Sequence, residues 1–171
     1  MKVLFIGGTG VISSACSELA LARGIELYLL NRGKSIRPAP QGAILLEADI
    51  RQPDSVRRAL GSLTFDAVVD WVAYTPEHVQ ADIELFRGRT RQYVFISSAA
   101  IYEKPPRSLP ATESTPRSNR TWGYAMDKIA CERLLEQAYQ REEFPATIVR
   151  PSHTYDATLL PLARGGFFPF Y

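Results

Sequence analysis

The 171-residue chain contains no uninterrupted apolar run long enough to span a bilayer, so no membrane-crossing helix is expected. It has only two cysteines, Cys16 and Cys131, inside helical patterns and without metal-type spacing. That excludes a disulfide framework and a cysteine metal site; reduced core thiols and a cytoplasmic location are expected instead. Charge of one sign is also scarce: 20 basic against 18 acidic residues leave a net +2, too little for nucleic acid to be a main partner. No internal repeat is visible. The opening Met1-Lys2-Val3-Leu4-Phe5-Ile6 runs straight into glycines and shows no cleavable signal pattern. What remains, 46% hydrophobic and 22% charged residues, is the composition of a soluble globular domain with a core.

Short apolar runs alternate with helical stretches. Strands are expected at Lys2–Ile6, Glu26–Leu30, Ala43–Glu47, Ala67–Val72, Gln92–Ile96 and Ala146–Arg150. Helices are expected at Val11–Arg23, stopped by Gly24, then at Asp54–Leu60, Glu77–Phe86 and Tyr124–Arg141. Strands apolar almost throughout suit a parallel sheet covered on both faces. The β-α alternation therefore predicts an α/β class, a doubly wound parallel sheet. Lys104–Arg120 carries four of the 12 prolines and reads as a long functional loop.

Gly7-Gly8-Thr9-Gly10-Val11-Ile12-Ser13 lies between the first strand and the first helix, the setting in which a glycine turn holds a pyrophosphate. Gly7 permits the tight turn and Gly10 lets the backbone approach the phosphates. Free N–H groups and the helix dipole then hold the negative charge. The usual third glycine is Ser13, which adds a hydroxymethyl where helix and strand pack closely. An acid about 20 residues on would accept the adenosine 2′-hydroxyl. Here Asn31-Arg32 stands in its place. Without a carboxylate to repel it, a 2′-phosphate could pair with Arg32, so NADP is favoured over NAD.

Tyr124 and Lys128 are four apart and share one helical face. At about 100° per residue, Tyr124, Lys128, Cys131, Leu135 and Ala138 form one stripe, with Glu132, Arg133 and Glu136 on another side. An ammonium on a largely apolar stripe requires a partner.

With these pieces the chain resembles the extended short-chain dehydrogenase/reductases, in their NAD-dependent epimerase/dehydratase branch. The resemblance rests on Gly-x-x-Gly after strand one, Asp49-Ile50 after strand three and Val72-Ala73 after strand four. Ser97-Ser98-Ala99-Ala100-Ile101-Tyr102 follows strand five, Tyr124-Ala125-Met126-Asp127-Lys128 opens the long helix, and Arg150-Pro151 ends strand six. The Asn31-Arg32-Gly33 turn and His153-Thr154-Tyr155-Asp156 look similar to the chloroplast stem-loop-binding proteins.

The resemblance implies a Rossmann fold with strand order 3-2-1-4-5-6 and a substrate lobe supplied by further chain that this sequence lacks. It implies a Ser98, Tyr124, Lys128 site, with Tyr124 as acid/base, Lys128 on the nicotinamide ribose and Ser98 bonded to the reacting oxygen. A tyrosine with a pKa of about 10 is a poor base at neutral pH, and the Lys128 cation would favour its phenolate. The cofactor would touch Gly7, Gly8, Thr9, Gly10, Val11, Ile12, Asn31, Arg32, Asp49, Ile50, Ala73, Lys128 and Pro151. The expected activity is NAD(P)-dependent epimerisation, dehydration or oxidoreduction of a carbonyl or alcohol, a nucleotide-sugar among the substrates, in a homodimer. The alternative is a silent dinucleotide-binding module, a sensor or RNA-associated protein. No metal site is expected.

Of the remaining residues, His153 fits substrate contact and a structural role equally, and Trp122 could wall the site. His78, Arg87, Arg89, Arg91, Arg117 and Arg120 read as surface, and Trp71 as packing. Residues 1–160 read as the cofactor domain and 161–171 as an irregular tail. Both an ordinary terminus and a truncated or shifted reading frame fit that tail.

Overall fold

The computed structural model describes residues 1–155. Six strands alternate with four helices: β1 (Lys2–Ile6), α1 (Val11–Ala22), β2 (Glu26–Asn31), β3 (Ile44–Glu47), α2 (Pro53–Leu60), β4 (Ala67–Asp70), α3 (Pro76–Phe86), β5 (Tyr93–Ile96), α4 (Gly123–Glu142) and β6 (Ala146–Val149). A single 3₁₀ turn, Ala99–Ile101, follows β5. The sheet order is β3-β2-β1-β4-β5-β6 and every described pairing is parallel. This is the doubly wound Rossmann arrangement, with the order reversing between β1 and β4.

Period-two alternation explains why the central strands are apolar throughout. On β1 and β2, Leu4, Ile6, Tyr28 and Leu30 enter the core shared with α2, α3 and α4. Val3, Phe5, Leu27 and Leu29 point the other way and meet Ala20 of α1. Each fully buried leucine or isoleucine contributes about 1.5–3 kcal/mol, so neither face can be left uncovered. The edge strands β3 and β6 are far more exposed.

Three boundaries depart from expectation for identifiable reasons. The fourth strand stops at Asp70 rather than Val72 because the Asp70 carboxylate accepts the N–H groups of Val72 (2.6 Å) and Ala73 (2.8 Å), turning the chain off the ladder. Helices α2 and α3 begin one residue early, on Pro53 and Pro76, whose missing N–H costs nothing in a first turn. Residues 104–120 contain no helix or strand. Among the described residues no helix is long and apolar enough to cross a membrane. Asp156, the expected boundary at 160 and the expected tail lie outside the described residues.

Candidate active site

The glycine turn is shaped by crowding. Gly7 and Gly8 both have positive φ, +102° and +99°, a region that favours glycine. A Cβ at Gly8 would stand 2.6 Å from Leu29 Cδ2, and one at Gly7 3.2 Å from Val72 Cγ1. Gly8 is thus the most constrained position of the turn, rather than Gly7 or Gly10. Its carbonyl also accepts the buried Ser17 hydroxyl at 2.9 Å. Ser13 is itself buried, and its Oγ accepts the Gly10 N–H at 2.8 Å. The hydroxymethyl in place of the third glycine therefore fits, and it occupies one of the donors at the head of α1. Val11 and Ile12, whose N–H groups have no acceptor within a helix, line the cavity beside it.

Lys128 is 2% exposed. The partner its position demands is neutral: Nζ donates to the carbonyls of Ala73 and Ile96, each at 2.7 Å. The ammonium also faces the rings of Phe95 (4.5 Å), Tyr74 (4.9 Å) and Tyr124 (5.8 Å). Burial pushes its pKa down to about 8, against the pull of nearby negative charge that includes Asp70. Tyr124 packs on Trp122, ring centroids 4.8 Å apart, and on Tyr74 at 6.4 Å. Ser98 Oγ accepts the Ala100 N–H at 3.1 Å, capping the 3₁₀ turn and leaving its own O–H to donate.

A cavity of about 480 Å³ joins the glycine turn to these groups. Its lining includes Gly7, Gly8, Thr9, Gly10, Val11, Ile12, Ser98, Tyr124, Lys128 and Pro151, with Trp122 and His153 at its walls. Ala73 is buried behind it and takes part through its carbonyl. Asn31, Arg32, Asp49 and Ile50 lie outside this lining. Asn31 Oδ1 accepts the Gly33 N–H, Arg32 is exposed, Asp49 Oδ1 accepts the Arg51 N–H, and Ile50 is buried. The Arg51 guanidinium in turn bonds the Val72 carbonyl, tying the loop after β3 to the loop after β4. Among the described residues no group of three acids, histidines or cysteines could hold a metal ion.

Several residues take places their sequence context does not suggest. Arg37 reaches over the first turn of α1, its guanidinium 3.2 Å from Ser14 Oγ and 3.4 Å from the Gly10 carbonyl. His78 is half-buried rather than on the surface, and its Nδ1 accepts the N–H groups of Tyr74 (3.2 Å) and Thr75 (3.4 Å). Trp71 packs edge-on against Phe5, centroids 5.3 Å apart, as expected of a packing residue, while also lining the cavity.

The largest correction concerns Glu132, which belongs to the core. It is fully buried and accepts a two-pronged bond from Arg150 (2.9 and 2.8 Å) and another from Arg117 (2.8 Å). Arg117, read as surface, also bonds Glu136 and so fastens the 104–120 loop to α4. Burial alone would raise the Glu132 carboxyl, but the arginine bonds hold it below its ordinary range.

The profile of the "NAD dependent epimerase/dehydratase family" matches residues 3–159. A UDP-glucose 4-epimerase of Lactobacillus helveticus is 28% identical over 172 aligned positions, covering 88% of this chain and 51% of that protein. The "chloroplast stem-loop binding protein of 41 kDa b" of Arabidopsis thaliana is 30% identical over 116 positions, 60% of this chain and 30% of that one. Among solved structures, the UDP-glucose 4-epimerase of Thermus thermophilus, complexed with NAD, superposes with a TM-score of 0.72 at 26% identity over 88% of this chain and 54% of that one. The chain thus spans about half the length of the epimerases it matches. With a match over most of its length, on the fold and strand order described above, the chain belongs to the NAD-dependent epimerase/dehydratase family.

Proposed function

We propose that residues 1–160 form a domain that binds NAD(H) or NADP(H), and that Ser98, Tyr124 and Lys128 perform its chemistry on a carbonyl or alcohol, with a nucleotide-sugar as the substrate class. One observation carries this reading: the glycine turn, Ser98, Tyr124 and Lys128 line a single cavity. The residues fit a dinucleotide. Gly7 and Gly8 allow a turn whose positive φ and packing against Val72 and Leu29 exclude a Cβ, so the turn meets the cavity with its backbone, and Val11 and Ile12 present the head of α1. Lys128 stands one helical turn from Tyr124, ready to meet a ribose.

Bound nicotinamide would supply the hydride acceptor or donor. The chain's own residues do the rest. Tyr124 gives a proton to, or takes one from, the substrate oxygen. The Lys128 cation beside its ring favours the phenolate. Ser98 donates its spare O–H to the same oxygen. Trp122 and Tyr74 flank the phenol. At the other end, Arg32 and Arg37 favour a 2′-phosphate, hence NADP. The relatives support NAD as well, since the Thermus enzyme is complexed with it. Self-association through α3 and α4, a homodimer, completes the proposal.

Calorimetric titration with NADPH and NADH tests the reading directly. Tighter NADPH binding is expected, with Arg32→Ala removing about 1–3 kcal/mol of the difference. Binding of neither cofactor would sink the proposal. A second reading, a dinucleotide-binding module without turnover, is favoured by the similarity to the chloroplast stem-loop binding protein of Arabidopsis thaliana. Cofactor affinity without activity on any sugar nucleotide would select it.

A further inference from the structure

Directly behind Lys128 the fold buries two carboxyl groups and a phenol that play no part in the chemistry above. Asp70 at the end of β4, Asp82 on α3 and Tyr93 on β5 are all 0% exposed. The Tyr93 hydroxyl donates to Asp82 Oδ2 at 2.8 Å and stands 3.3 Å from Asp70 Oδ2. Asp70 Oδ1 takes the N–H groups of Val72 and Ala73. Asp82 Oδ1 has no partner among the described residues. Ala73, whose N–H is held by Asp70, offers through its carbonyl one of the two acceptors that hold the Lys128 ammonium.

Two unprotonated carboxylates cannot share one phenolic hydrogen in a dry interior without severe repulsion. One of them must keep a proton. The bonding says which. Asp70 accepts two backbone N–H groups, which favour a charged carboxylate, while the bare Oδ1 of Asp82 is where a proton can sit. We propose that Asp70, Tyr93 and Asp82 form a buried positioning triad for Lys128, in which ionised Asp70 balances the ammonium and fixes its carbonyl cradle while protonated Asp82 completes the phenol bridge. The direction of the Asp82 pKa agrees: burial first, then the charge of Asp70, raises it well above the ordinary carboxyl range. Other titratable or charged groups around this region are Cys131 and Glu132 on α4, His78 and Glu77 on α3, Arg51 in the loop after β3, and the phenols of Tyr74 and Tyr124. Glu132 is already matched by Arg150 and Arg117. Burial drives the Cys131 thiol up to about 12, so it stays neutral beside Lys128.

The inference rests on the reading of Lys128 as a cofactor-ribose ligand, yet its test does not need that reading. The chain has four lysines, so side-chain NMR of the full chain can follow Lys128 alone, its signal assigned by Lys128→Arg. Asp70→Asn should move the Lys128 titration down by about one pH unit or more. Asp82→Asn, which mimics the protonated acid, should leave it within about 0.3 unit. Should Asp70→Asn not fold, infrared spectroscopy of the unmodified chain still decides: a protonated carboxyl band at neutral pH, absent in Asp82→Asn, is required. A missing band, an unmoved Lys128 in Asp70→Asn, or equal shifts in both variants would overturn the triad. NADH titrated in parallel keeps the questions apart. Loss of NADH binding at every pH with band and shifts intact would refute the cofactor reading and leave the triad standing.

Discussion

Lys128 and Glu132 stand one helical turn apart on α4, are both hidden from water, and are satisfied in opposite ways. Glu132 is met by two guanidinium groups, three bonds between full charges that leave it no reason to change state. Lys128 is met by two neutral carbonyls and three aromatic faces, with no carboxylate bonded to its ammonium among the described residues. The first arrangement holds a charge permanently; the second holds one loosely enough to titrate at about 8. Burial alone therefore does not separate a fixed charge from one poised to titrate. The nature of the partners does.

The largest consequence is on stability. Glu132→Ala leaves Arg150 and Arg117 facing each other without their carboxylate, and urea unfolding should record a loss of about 3–5 kcal/mol. A loss below about 1 kcal/mol would place the network in the class of surface pairs. Lys128→Met keeps most of the volume and removes a charge the fold tolerates poorly. It should cost far less at neutral pH.

The second consequence is in pH dependence. The Lys128 pKa falls from 10.5 to about 8 on folding, so between those values the unfolded chain binds more protons than the native one. Its contribution is therefore lost as pH falls towards about 8 and is fully present above 10.5. Relative to Lys128→Met, the unmodified chain should gain up to about 3 kcal/mol across that window. Cys131, raised by burial to about 12, acts in the opposite direction above 9 in both proteins, with the Lys128 charge pulling it down only in the unmodified chain. Parallel curves would mean that Lys128 is not depressed.

The third consequence is on binding. If Lys128 holds a ribose, NADH affinity should fall at least about tenfold in Lys128→Met, some 1.4 kcal/mol, and should weaken in the unmodified chain as pH rises through about 8. Glu132→Gln, provided circular dichroism shows it folded, should change affinity less than twofold.

These two residues also show how far a sequence can be read. The strands were legible because fully buried strands are apolar runs and the glycine turn fixes where the first helix starts; their order followed only from the resemblance to a known family. Lys128 was legible because its own helix supplies the apolar stripe. Glu132 was not, since its partners come from an irregular loop 15 residues back and from the end of β6, 18 residues on. Asp82 reads as one polar residue of an amphipathic helix. Only the arrival of Tyr93 from β5 makes it a core group. Polar residues are placed by contacts that have no local period, and here the site depends on several of them.

Ser13 provides the smallest test, because it asks to which class a neutral backbone donor belongs. Its hydroxyl occupies the Gly10 N–H, so the head of α1 has one donor already spent, much as Glu132 is spent on its arginines. Ser13→Gly would supply the third glycine of the glycine turn and release that N–H. Removing the hydroxyl bond and adding backbone freedom should cost about 1 kcal/mol of stability. If the Gly10 N–H can reach a phosphate oxygen, NADH affinity should rise a few-fold, about 0.5–1 kcal/mol for one added hydrogen bond. If the bond is purely architectural, affinity should hold or fall with the loosened turn. Differential scanning calorimetry and cofactor titration on the same samples separate the outcomes. A stability loss with unchanged affinity would put Ser13 beside Glu132. A gain in affinity would put the Gly10 N–H beside Lys128, among the groups the fold keeps available for a ligand.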